Sequence, residues 1–421
     1  MPDSLTDPTG RSFLSYSQER GQEANLLVQV QRELGIPTWR DVDDLEGNMG
    51  HELRRTLVED PEIADALLWL TPEVADSPAI RRLEAPAILE RDRRGDAFFV
   101  QAVAAGGLGY REAAALAGEH LGVHDLRSWK FITVDEPILT RGGALGVARR
   151  VLDQRIDAIH RELLPGFPLK LRLVARGDPP GFRPGFAWDI DWRHHFDARF
   201  ARPGAWGTAL LPALQALRHS ARKAPAREIE ASGSASLSAG FALGRTFLSV
   251  AGRTCTWSQY IHGRPPQFWS LGAEPEESGF VARVEDGVLH GEEVAILVSV
   301  AEDAAQAFGR TRESLPPFAA VVEVLPPAAP DGKYRPFQIK RAGQAVDIVA
   351  KAVEAIRSAR RTYHPKTLHL FLATPLGLAF LLGQSSNTLG PIQLYEHEEI
   401  DAVGRYRPEL LFAAGDRYAS L

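Results

Sequence analysis

The stretch ALLWLTPEVADSPAIRRLEAPAIL, residues Ala66–Leu89, decides the fold of the N-terminal part of this chain. Its first five residues are an unbroken apolar run, which is typical of a strand buried on both faces of a parallel sheet. Ser77 and Pro78 then predict a helix start, with serine at the N-cap and proline at the first helical position. Glu84 follows Ile80 by four residues, on the face that carries the apolar side chains. A carboxylate is therefore expected along the buried face of this helix or at its rim.

Two interpretations of Glu84 are open at this point. Burying an unpaired charge is costly, so the side chain could form a salt bridge with Arg81 or Arg40 at the edge of the core. Alternatively, the carboxylate belongs to a functional site, because such sites are where buried charges are retained.

Strand-like and helical segments alternate on the N-terminal side of this stretch. Arg11–Ser17 predicts a short strand, and a helix of about Gln18–Gly35 follows it. Ile36–Trp39 is strand-like and opens the charged loop Arg40–Gly47, and His51–Val58 predicts a second short helix. The order β-α-β-α-β indicates an open α/β sheet, in which ligands bind at the carboxyl ends of the strands. The end of the first strand and the charged loop are therefore candidate site segments.

Weaker patterns continue the domain on the C-terminal side. Tyr110–Leu121 predicts a helix, and Arg127–Val134 predicts a last strand. Gly106 and Gly107 resemble part of a phosphate-binding glycine loop, but their position late in the domain favours a simple turn before the helix.

Composition limits the classes of function. The 421 residues predict two or three folded units. A net charge of −6 argues against affinity for long nucleic acids. Cys255 is the single cysteine, which excludes an intrachain disulfide and a four-cysteine zinc site, so we expect a buried thiol and no bound metal. There is no apolar run of the roughly 18 residues that a membrane helix needs, and Met1–Gly10 is unlike a signal peptide. We expect a cytoplasmic protein with no membrane partner.

The segments Arg11–Asn48 and Ala66–Leu89 together resemble a TIR domain. The shared features are the strand ending in Ser-Tyr-Ser, the Gly-Ile-Pro-Thr-Trp segment and its charged loop, and the leucine-rich strand that runs into Thr-Pro-Glu and the Glu84 helix. The resemblance is close over Thr9–Asp92 and weaker over Arg93–Gly143. It implies a flavodoxin-like α/β domain with a parallel sheet over residues 1–148.

The resemblance also implies an activity. Enzymatic TIR domains cleave the bond between nicotinamide and ribose in NAD, and Glu84 matches their essential glutamate. A carboxylate suits this chemistry because it stabilises an oxocarbenium-like transition state. NAD is then the substrate, and no cofactor is expected. The implied NAD-binding residues are Tyr16, Ser17, Trp39, Arg40 and Asp43, and the loop through which TIR domains assemble contains Asp44, Leu45 and Glu46. Ordinary packing of the two aromatic rings and a solvated charged loop are the alternatives.

The C-terminal part contains a faint duplication, which begins after a predicted helix of about Ala144–Leu164 and a domain boundary near residues 145–165. The segment SASLSAGFALGRTF, Ser234–Phe247, resembles ATPLGLAFLLGQSS, Ala373–Ser386, at a constant offset of 139 residues. Each copy predicts a helix, a strand (Glu228–Ala231 or Leu368–Leu372), a loop of small residues and a second helix. Chance similarity of alanine- and leucine-rich helices is the alternative.

The second copy, Leu368–Gly383 with Ile392–Glu396, looks like the C-terminal part of a SAVED domain. SAVED domains consist of two fused α/β halves similar to CARF sensors, and they bind cyclic oligonucleotides in antiphage systems of the CBASS type. The resemblance implies such a domain over residues 155–421, with halves of about 165–290 and 291–421. The implied partner is a cyclic oligonucleotide, with a cyclic trinucleotide favoured.

Ligand contacts are expected at the paired loops, where helix N-termini can hold phosphate. For each residue, a purely structural role is the alternative. Candidate backbone and hydroxyl donors are Ser232, Gly233, Ser234, Ser236, Thr374, Pro375 and Leu376. Candidate phosphate partners are Arg199, Arg202, Arg245 and Lys340, and candidate base-stacking residues are Trp206, Trp257 and Phe337.

Together these features predict a sensor fused to an effector. A cyclic oligonucleotide is expected to drive self-association into an open-ended oligomer, in which the TIR domains cleave NAD to nicotinamide and an ADP-ribose product. One alternative is a non-catalytic TIR adaptor that recruits partners. The other is a TIR enzyme that makes a cyclic ADP-ribose signal.

Overall fold

The computed structural model describes residues 6–40, 49–124, 126, 129–162, 167–177, 181–224, 228–249, 252–261, 263–288, 291–331, 333–400 and 403–413. The chain divides into two compact units. The first takes in Met1–Arg172, Pro179–Asp191 and His219–Ala226, and the second takes in Leu173–Asp178, Trp192–Arg218 and Arg227–Leu421. Of the described helices, none combines the length and the apolarity that crossing a membrane requires.

A parallel five-stranded sheet forms the centre of the first unit. Its strands are β1 (Arg11–Ser15), β2 (Thr38–Trp39), β3 (Ile63–Leu70), β4 (Phe99–Ala104) and β5 (Lys130–Thr133). The strand order is β2-β1-β3-β4-β5, and each neighbouring pair is parallel. All eight residues of β3 are buried, as its apolar run indicates. The prediction of an α/β fold with a parallel sheet is therefore confirmed.

Five described helices accompany this sheet, four between its strands and one after β5. They are α1 (Gly21–Glu33), α2 (Met49–Glu59), α3 (Ala85–Asp92, preceded by a π-helical turn at Ile80–Glu84), α4 (Tyr110–Leu121) and α5 (Arg141–Glu162). The predicted bounds of α4 are those observed. Gly106 and Gly107, which precede it, have φ values of +65° and +86°, as expected for a turn.

Strand β4 has no counterpart among the sequence predictions. Its residues, FVQAVA, are interrupted by Gln101, which weakens the apolar pattern of a buried strand. In the structure Gln101 is fully buried, and its Nε2 donates hydrogen bonds to the carbonyl oxygens of Ala102 and Lys130. A buried polar side chain is tolerated here because its hydrogen bonds are made.

A buried ion pair joins the long helix α5 to the sheet of the first unit. Arg155 and Asp65 are both fully buried, with Nη1 and Oδ2 3.9 Å apart. Arg155 also donates to the carbonyl oxygens of Gly10 and Thr9, and Ser12 Oγ donates to Asp65 Oδ1 at 2.5 Å. Burial raises the pKa of Asp65 to about 6, although Arg155 and Ser12 oppose the rise.

Two further sheets follow along the chain. One has the order β12-β11-β10-β6-β7, and the other has the order β13-β15-β14-β16-β17-β18. The strands of the first are β6 (Leu169–Val174), β7 (Trp188–Asp191), β10 (Glu228–Ser234), β11 (Thr254–Ile261) and β12 (Arg264–Ser270), and a separate hairpin is formed by β8 (Phe196–Asp197) and β9 (Phe200–Ala201). The strands of the second are β13 (Val281–Asp286), β14 (Glu293–Ser299), β15 (Phe318–Leu325), β16 (Thr367–Ala373), β17 (Ile392–Ile400) and β18 (Val403–Phe412).

The helices of the second part of the chain are α6 (Leu211–Lys223, preceded by a π-helical turn at Trp206–Leu210), α7 (Leu237–Thr246), α8 (Ala304–Thr311), α9 (Ala342–Tyr363) and α10 (Leu376–Gln384). Cys255 on β11 is a buried free thiol, and burial raises its pKa to about 12.

The 139-residue offset reappears in these elements. Strand β16 begins and ends 139 residues after β10, and α10 begins 139 residues after α7. Each of these strands pairs in parallel with the next strand, β11 or β17. That strand in turn pairs antiparallel with β12 or β18. Both copies therefore build the same strand–loop–helix unit followed by a hairpin.

Reciprocal hydrogen bonds tie α7 to the end of α10. Arg245 Nη1 donates to the carbonyl oxygen of Ser386 at 3.0 Å, and Gln384 Nε2 donates to the carbonyl oxygen of Phe247 at 3.1 Å. Arg245 and Gln384 are 139 residues apart, and so are Phe247 and Ser386. Each helix therefore uses the same position to reach the same carbonyl of the other copy, which joins the C-terminal ends of the two helices.

Candidate functional sites

A cavity of about 440 Å³ in the first unit lies where the carboxyl ends of β1 and β3 lead into the next segments. This is the edge at which open parallel sheets bind ligands. Its walls are formed by the segment after β1, the segment after β3 and the turn before α3. The lining residues are Tyr16, Ser17, Gln18, Glu19, Glu73, Asp76, Ser77, Pro78, Ala79 and Glu84.

Glu84 is the last residue of the π-helical turn at Ile80–Glu84 and is 4% exposed. Ser15, the fully buried last residue of β1, donates a hydrogen bond of 2.5 Å from its Oγ to Glu84 Oε2. Pro86, which has no N–H to donate, follows the turn closely, and π-helical turns are frequent at functional sites. The carboxylate is thus buried, held by a hydroxyl group and placed at the cavity wall.

The two arginines considered as structural partners of Glu84 have other contacts. Arg81 Nη1 donates to the carbonyl oxygen of Ala75 at 3.0 Å, and Arg40 Nη1 donates to Asn25 Oδ1 at 2.5 Å. Both guanidinium groups thus have hydrogen-bond acceptors elsewhere, and Glu84 accepts a hydrogen bond from Ser15.

A second carboxylate at this cavity is kept ionised by an arginine. Arg20 Nη2 lies 2.7 Å from Glu73 Oε1, and Arg20 Nη1 lies 3.0 Å from Glu23 Oε1. The hydrogen bond from Arg20 lowers the pKa of Glu73 to about 2. Glu19 and Asp76 also line the cavity, so four of the ten described lining residues are acidic, and these side chains suit a group that carries positive charge.

The other predicted NAD-binding residues divide into three groups. Tyr16 and Ser17 line the cavity. Trp39 does not: it is 3% exposed, and its ring centroid lies 5.0 Å from that of Phe13 in the core. The parallel register pairs Phe13 with Trp39, so both side chains fall on the same buried face of the sheet. The side chain of Arg40 contacts Asn25. Asp43 lies outside the described residues, and so do the predicted assembly residues Asp44, Leu45 and Glu46.

A larger cavity, of about 930 Å³, lies within the second unit. The two loops related by the 139-residue offset both contribute to its walls, together with residues from the segments after β6 and β14. Seven of the predicted ligand residues line it: Arg199, Gly233, Ser234, Ser236, Thr374, Pro375 and Leu376.

Backbone hydrogen bonds fix the first of these loops. The N–H groups of Ala175 and Arg176 donate to the carbonyl oxygen of Ser234 at 2.9 and 3.3 Å. Ser236 is the N-cap of α7, and its Oγ accepts a hydrogen bond of 3.3 Å from the N–H of Ala239. Gly233 is required here because a Cβ would lie 2.0 Å from the carbonyl oxygen of Leu173.

The second loop is held in the same way. The N–H groups of Val300 and Ala301 donate to the carbonyl oxygen of Ala373 at 3.0 and 2.8 Å. Thr374 is 7% exposed, and its Oγ1 is buried without a hydrogen-bond partner among the described residues. Thr374 lines the cavity, and a buried hydroxyl without a hydrogen-bond partner is costly.

Positive charge at this cavity comes from Arg176, Arg199 and Arg310. Partial burial lowers the pKa of Arg176, the neighbouring charge of Arg199 lowers it further, and Glu396 opposes the shift. Because Arg199 disfavours the charge of Arg176, an anion that contacts both side chains is stabilised by both.

Glu396 is a buried carboxylate at the same cavity and is 2% exposed. Its Oε1 accepts a hydrogen bond of 2.5 Å from the N–H of Ser238 in the first turn of α7. Burial raises the pKa of Glu396 to about 7, and the bond from Ser238 opposes the rise; the charge of Glu409 raises the pKa further, and that of Arg199 lowers it. The carboxylate thus occupies a helix N-terminus, a preferred position for an anion.

Arg245 and Trp206 were predicted to contact the ligand, but the structure places them elsewhere. Arg245 is 6% exposed and donates to the carbonyl oxygen and Oγ of Ser386, so it holds the helix pair together. Trp206 Nε1 donates to Glu409 Oε1 at 2.9 Å. Neither side chain lines the 930 Å³ cavity.

The remaining predicted ligand residues are also outside the cavity lining. Trp257 is 1% exposed and packs 5.1 Å from the ring of Phe380, and Phe337 packs edge-on to Phe280. The other three, none of which lines the cavity, are Ser232, Arg202 and Lys340. Of the seven aromatic and basic residues predicted to contact the ligand, only Arg199 therefore lines the cavity.

Sequence reasoning missed a further set of lining residues, because they come from segments that no motif brings together. Of these residues, only Glu396, which closes the Ile392–Glu396 motif, carried a signal. The missed residues are Arg176, Gln259, Tyr260, Glu302, Asp303, Gln306, Arg310, Tyr334, Glu396, His397, Glu399 and Tyr406.

Both cavity loops and helices α6–α10 fall within the part of the chain that resembles a known sensor family. Residues 211–412 match the SAVED family model. That model describes an "SMODS-associated and fused to various effectors sensor domain". The SAVED region, residues 211–412, includes Ser236, Thr374 and Glu396, whereas Arg176 and Arg199 precede it.

The solved structures to which the chain is similar are distant in sequence. The Acinetobacter baumannii Cap4 SAVED/CARF-domain containing receptor with the cyclic trinucleotide 3'3'3'-cAAA is 11% identical, with 94% of this chain and 99% of that chain covered and a TM-score of 0.46. The same receptor with 2'3'3'-cAAA is 13% identical, covers 95% and 99%, and has a TM-score of 0.45. The Moraxella osloensis Cap4 receptor is 14% identical, covers 93% and 98%, and has a TM-score of 0.43. No curated protein matches the chain significantly.

Proposed function

We propose that the 930 Å³ cavity binds a cyclic oligonucleotide and that binding activates NAD cleavage by the first unit. The observation that carries the sensor part is the convergence of two helix N-terminal loops and three arginines on one cavity. Both loops and Arg310 lie within residues 211–412, which match a sensor-domain family. The volume lies near the upper end of the roughly 300–1,000 Å³ typical of small-molecule pockets. It therefore suits a ligand larger than a mononucleotide, and we favour a cyclic trinucleotide.

Phosphate groups match the donors at this cavity. Arg176, Arg199 and Arg310 can form charge-assisted hydrogen bonds to phosphate oxygens. The buried hydroxyl of Thr374, at the start of α10, can complete its hydrogen bonding to a ligand in the same place. Tyr260 and Tyr334 offer aromatic surfaces for bases, since stacking on aromatic side chains tolerates any base.

The effector part of the proposal assigns the first unit as a TIR domain. Its strand order, β2-β1-β3-β4-β5, is the doubly wound order of flavodoxin-like folds. The cavity at the strand ends, with Glu84 fixed by Ser15, supports a catalytic role for that carboxylate. Glu73, kept ionised by Arg20, and the other acids of the wall favour the cationic nicotinamide ring of NAD.

The chemistry requires little beyond one carboxylate. Nicotinamide leaves a cationic ring as a neutral base, so no general acid is needed at the leaving group. Positive charge develops at the ribose as nicotinamide leaves, and the Glu84 carboxylate stabilises it. A water molecule then adds to the ribose carbon and releases a proton. The products are nicotinamide and ADP-ribose.

Self-association is the proposed link between ligand binding in the second unit and NAD cleavage in the first unit. A cyclic oligonucleotide bound in the second unit would favour a self-associated state that is open-ended and brings first units of neighbouring copies together. Such a device depletes NAD only when the signal is present, which fits a role in antiphage defence of the CBASS type.

The decisive experiment mixes the full chain with NAD and cyclic di-, tri- and tetranucleotides. Binding is measured by calorimetry, NAD and its products by chromatography, and particle size by light scattering. We expect a cyclic trinucleotide to bind, to increase particle size and to trigger NAD loss. Binding without NAD loss would instead support a non-catalytic adaptor. A cyclised ADP-ribose product would support an enzyme that makes a signal molecule. If no member of the panel binds, the sensor proposal fails.

A further inference from the structure

Equivalent backbone N–H groups of the two copies have different hydrogen-bond acceptors at the 930 Å³ cavity. The N–H of Ser238 in α7 donates to the carboxylate of Glu396 at 2.5 Å. The N–H of Gly377 in α10, 139 residues later, donates to the amide oxygen of Gln259 at 3.0 Å. Each helix N-terminus is thus occupied by a side chain of the other copy. One occupant carries a formal charge when deprotonated, and the other is neutral.

Several charged and titratable groups surround Glu396. Arg199, between β8 and β9, and Arg176, after β6, interact with its charge. Glu409 and Tyr406 on β18 do so as well. All of these except Glu409 line the cavity, and so does His397, the next residue along β17. An anion that enters between the two arginines must therefore share them with Glu396.

We propose that Glu396 takes up a proton when the anionic ligand enters, so that the sensor binds its ligand together with one proton. The inference rests on the proposed function, because it requires a ligand with phosphate groups in this cavity. It concerns the regulation of that site: the carboxylate acts as an internal substitute for a phosphate until the ligand arrives.

Electrostatics gives the direction of the effect. In the ligand-free protein, burial has already raised the pKa of Glu396 to about 7, so the carboxyl is partly protonated near neutral pH. A phosphate beside Arg176 and Arg199 adds negative charge and engages the cations that favour the carboxylate. Both changes raise the pKa further, because like charge and loss of a positive partner disfavour ionisation. Ligand binding then weakens as the pH rises above about 7.

Protonation also allows the Glu396 carboxyl to donate a hydrogen bond to the ligand. Glu396 Oε1 can keep its hydrogen bond from Ser238 in either state. A protonated carboxyl gains an O–H donor, which an ionised carboxylate lacks. The same side chain therefore changes from a competitor of the phosphate into a potential partner for it.

The test measures proton uptake by calorimetry with the full chain and 3'3'3'-cyclic triadenylate, in buffers of different ionisation enthalpy at pH 7.5 to 8. We expect the wild type to take up a substantial fraction of one proton per ligand and Glu396→Gln to take up almost none. Between pH 7 and pH 9 the wild-type affinity should fall by up to about tenfold per pH unit. The variant should show little pH dependence and should bind more tightly than the wild type at pH 8.

Glu409→Gln is the matched control. Glu409 lies near Glu396 but does not line the cavity, and it accepts hydrogen bonds from Ala201 N and Trp206 Nε1. This variant should retain proton uptake. Equal uptake by the wild type and Glu396→Gln, or a wild type that binds without uptake, overturns the inference and leaves the sensor function intact. A wild type that binds no cyclic oligonucleotide overturns the sensor function itself.

Discussion

Gly244 on α7 and Gly383 on α10 hold equivalent positions in one reciprocal helix contact. A Cβ on Gly244 would lie 2.0 Å from the carbonyl oxygen of Phe380, and a Cβ on Gly383 would lie 2.1 Å from the carbonyl oxygen of Phe241. Both pairs, the glycines and the phenylalanines, are separated by 139 residues. Each helix therefore presents the same two positions to the other, as in a contact between two copies related by a two-fold axis.

Replacing either glycine with alanine should separate these helices. No side chain fits at 2.0 Å from a backbone oxygen, so the helices must move and lose packing, which costs on the order of 1–3 kcal/mol or more. We expect Gly244→Ala and Gly383→Ala each to lower the free energy of unfolding in urea by that amount. The control is Gly309→Ala on α8, where a Cβ would meet nothing within 4 Å; alanine there should be neutral or stabilising by up to about 1 kcal/mol. Equal effects at all three positions would contradict the close-contact account.

The contact between Ser15 and Glu84 predicts a graded series of NAD-cleavage defects. Glu84→Gln should lower kcat by at least roughly a hundredfold, as expected for the loss of one electrostatic stabiliser. Ser15→Ala should have a smaller effect and lower kcat by about tenfold. It removes a hydrogen bond to a charged group, typically worth about 1.5–3 kcal/mol, but leaves the charge of the Glu84 carboxylate in place. The measurement is steady-state NAD cleavage in the presence of the activating cyclic nucleotide.

Ligand affinity separates this prediction from a general loss of structure. Both substitutions lie in the first unit, and neither residue lines the 930 Å³ cavity. Calorimetric binding of the cyclic nucleotide should therefore be unchanged in Ser15→Ala and in Glu84→Gln. Wild-type turnover by Glu84→Gln would remove this residue from the catalytic role.

Two neighbouring arginines offer a matched test of the ligand cavity. Arg199 and Arg202 are both exposed and lie three residues apart, but only Arg199 lines the cavity. Arg199→Ala should weaken cyclic-nucleotide binding by about 10- to 100-fold, because a charge-assisted hydrogen bond to phosphate is worth roughly 1.5–3 kcal/mol. It should also reduce the dependence of affinity on salt concentration. Arg202→Ala should change neither quantity, and the opposite ranking would place the phosphate elsewhere.

The sequence was informative wherever a local pattern determines structure. The apolar run of β3, the Ser-Pro helix start and the offset between the two small-residue loops are local or repeated signals. They located the α/β sheet, Glu84 and one wall of the larger cavity. Gly233, Ser236 and Thr374 follow from the same logic, since each lies in the loop between a strand and a helix.

Residues whose role depends on contacts between distant segments were not predictable in this way. Trp39 and Arg245 have side chains that suit a ligand, but register places one beside Phe13 and helix pairing places the other against Ser386. Arg176 follows a strand that carries no motif, and it reaches the cavity only because its N–H pairs with the carbonyl oxygen of Ser234. Composition and periodicity contain no information about such pairings.

The buried pair of Arg155 and Asp65 gives a prediction for stability that depends on pH. Arg155→Met removes the charge partner of Asp65 and the hydrogen bonds to the carbonyl oxygens of Gly10 and Thr9. Breaking a buried pair by removing one partner typically costs about 3–5 kcal/mol. In the wild type the pKa of Asp65 is already raised to about 6, so its contribution to stability falls as the pH rises from about 4 through 6. Without Arg155 this pKa rises further, and the loss of stability continues above pH 6.

Urea unfolding of the full chain, followed by a signal from the first unit, measures this effect. The free energy of unfolding of Arg155→Met should therefore fall further below that of the wild type at pH 8 than at pH 5. Adding Asp65→Asn should recover part of the stability at pH 8, because it removes the unpaired charge. A deficit that is the same at both pH values would show that the lost backbone hydrogen bonds, and not the ion pair, account for the destabilisation.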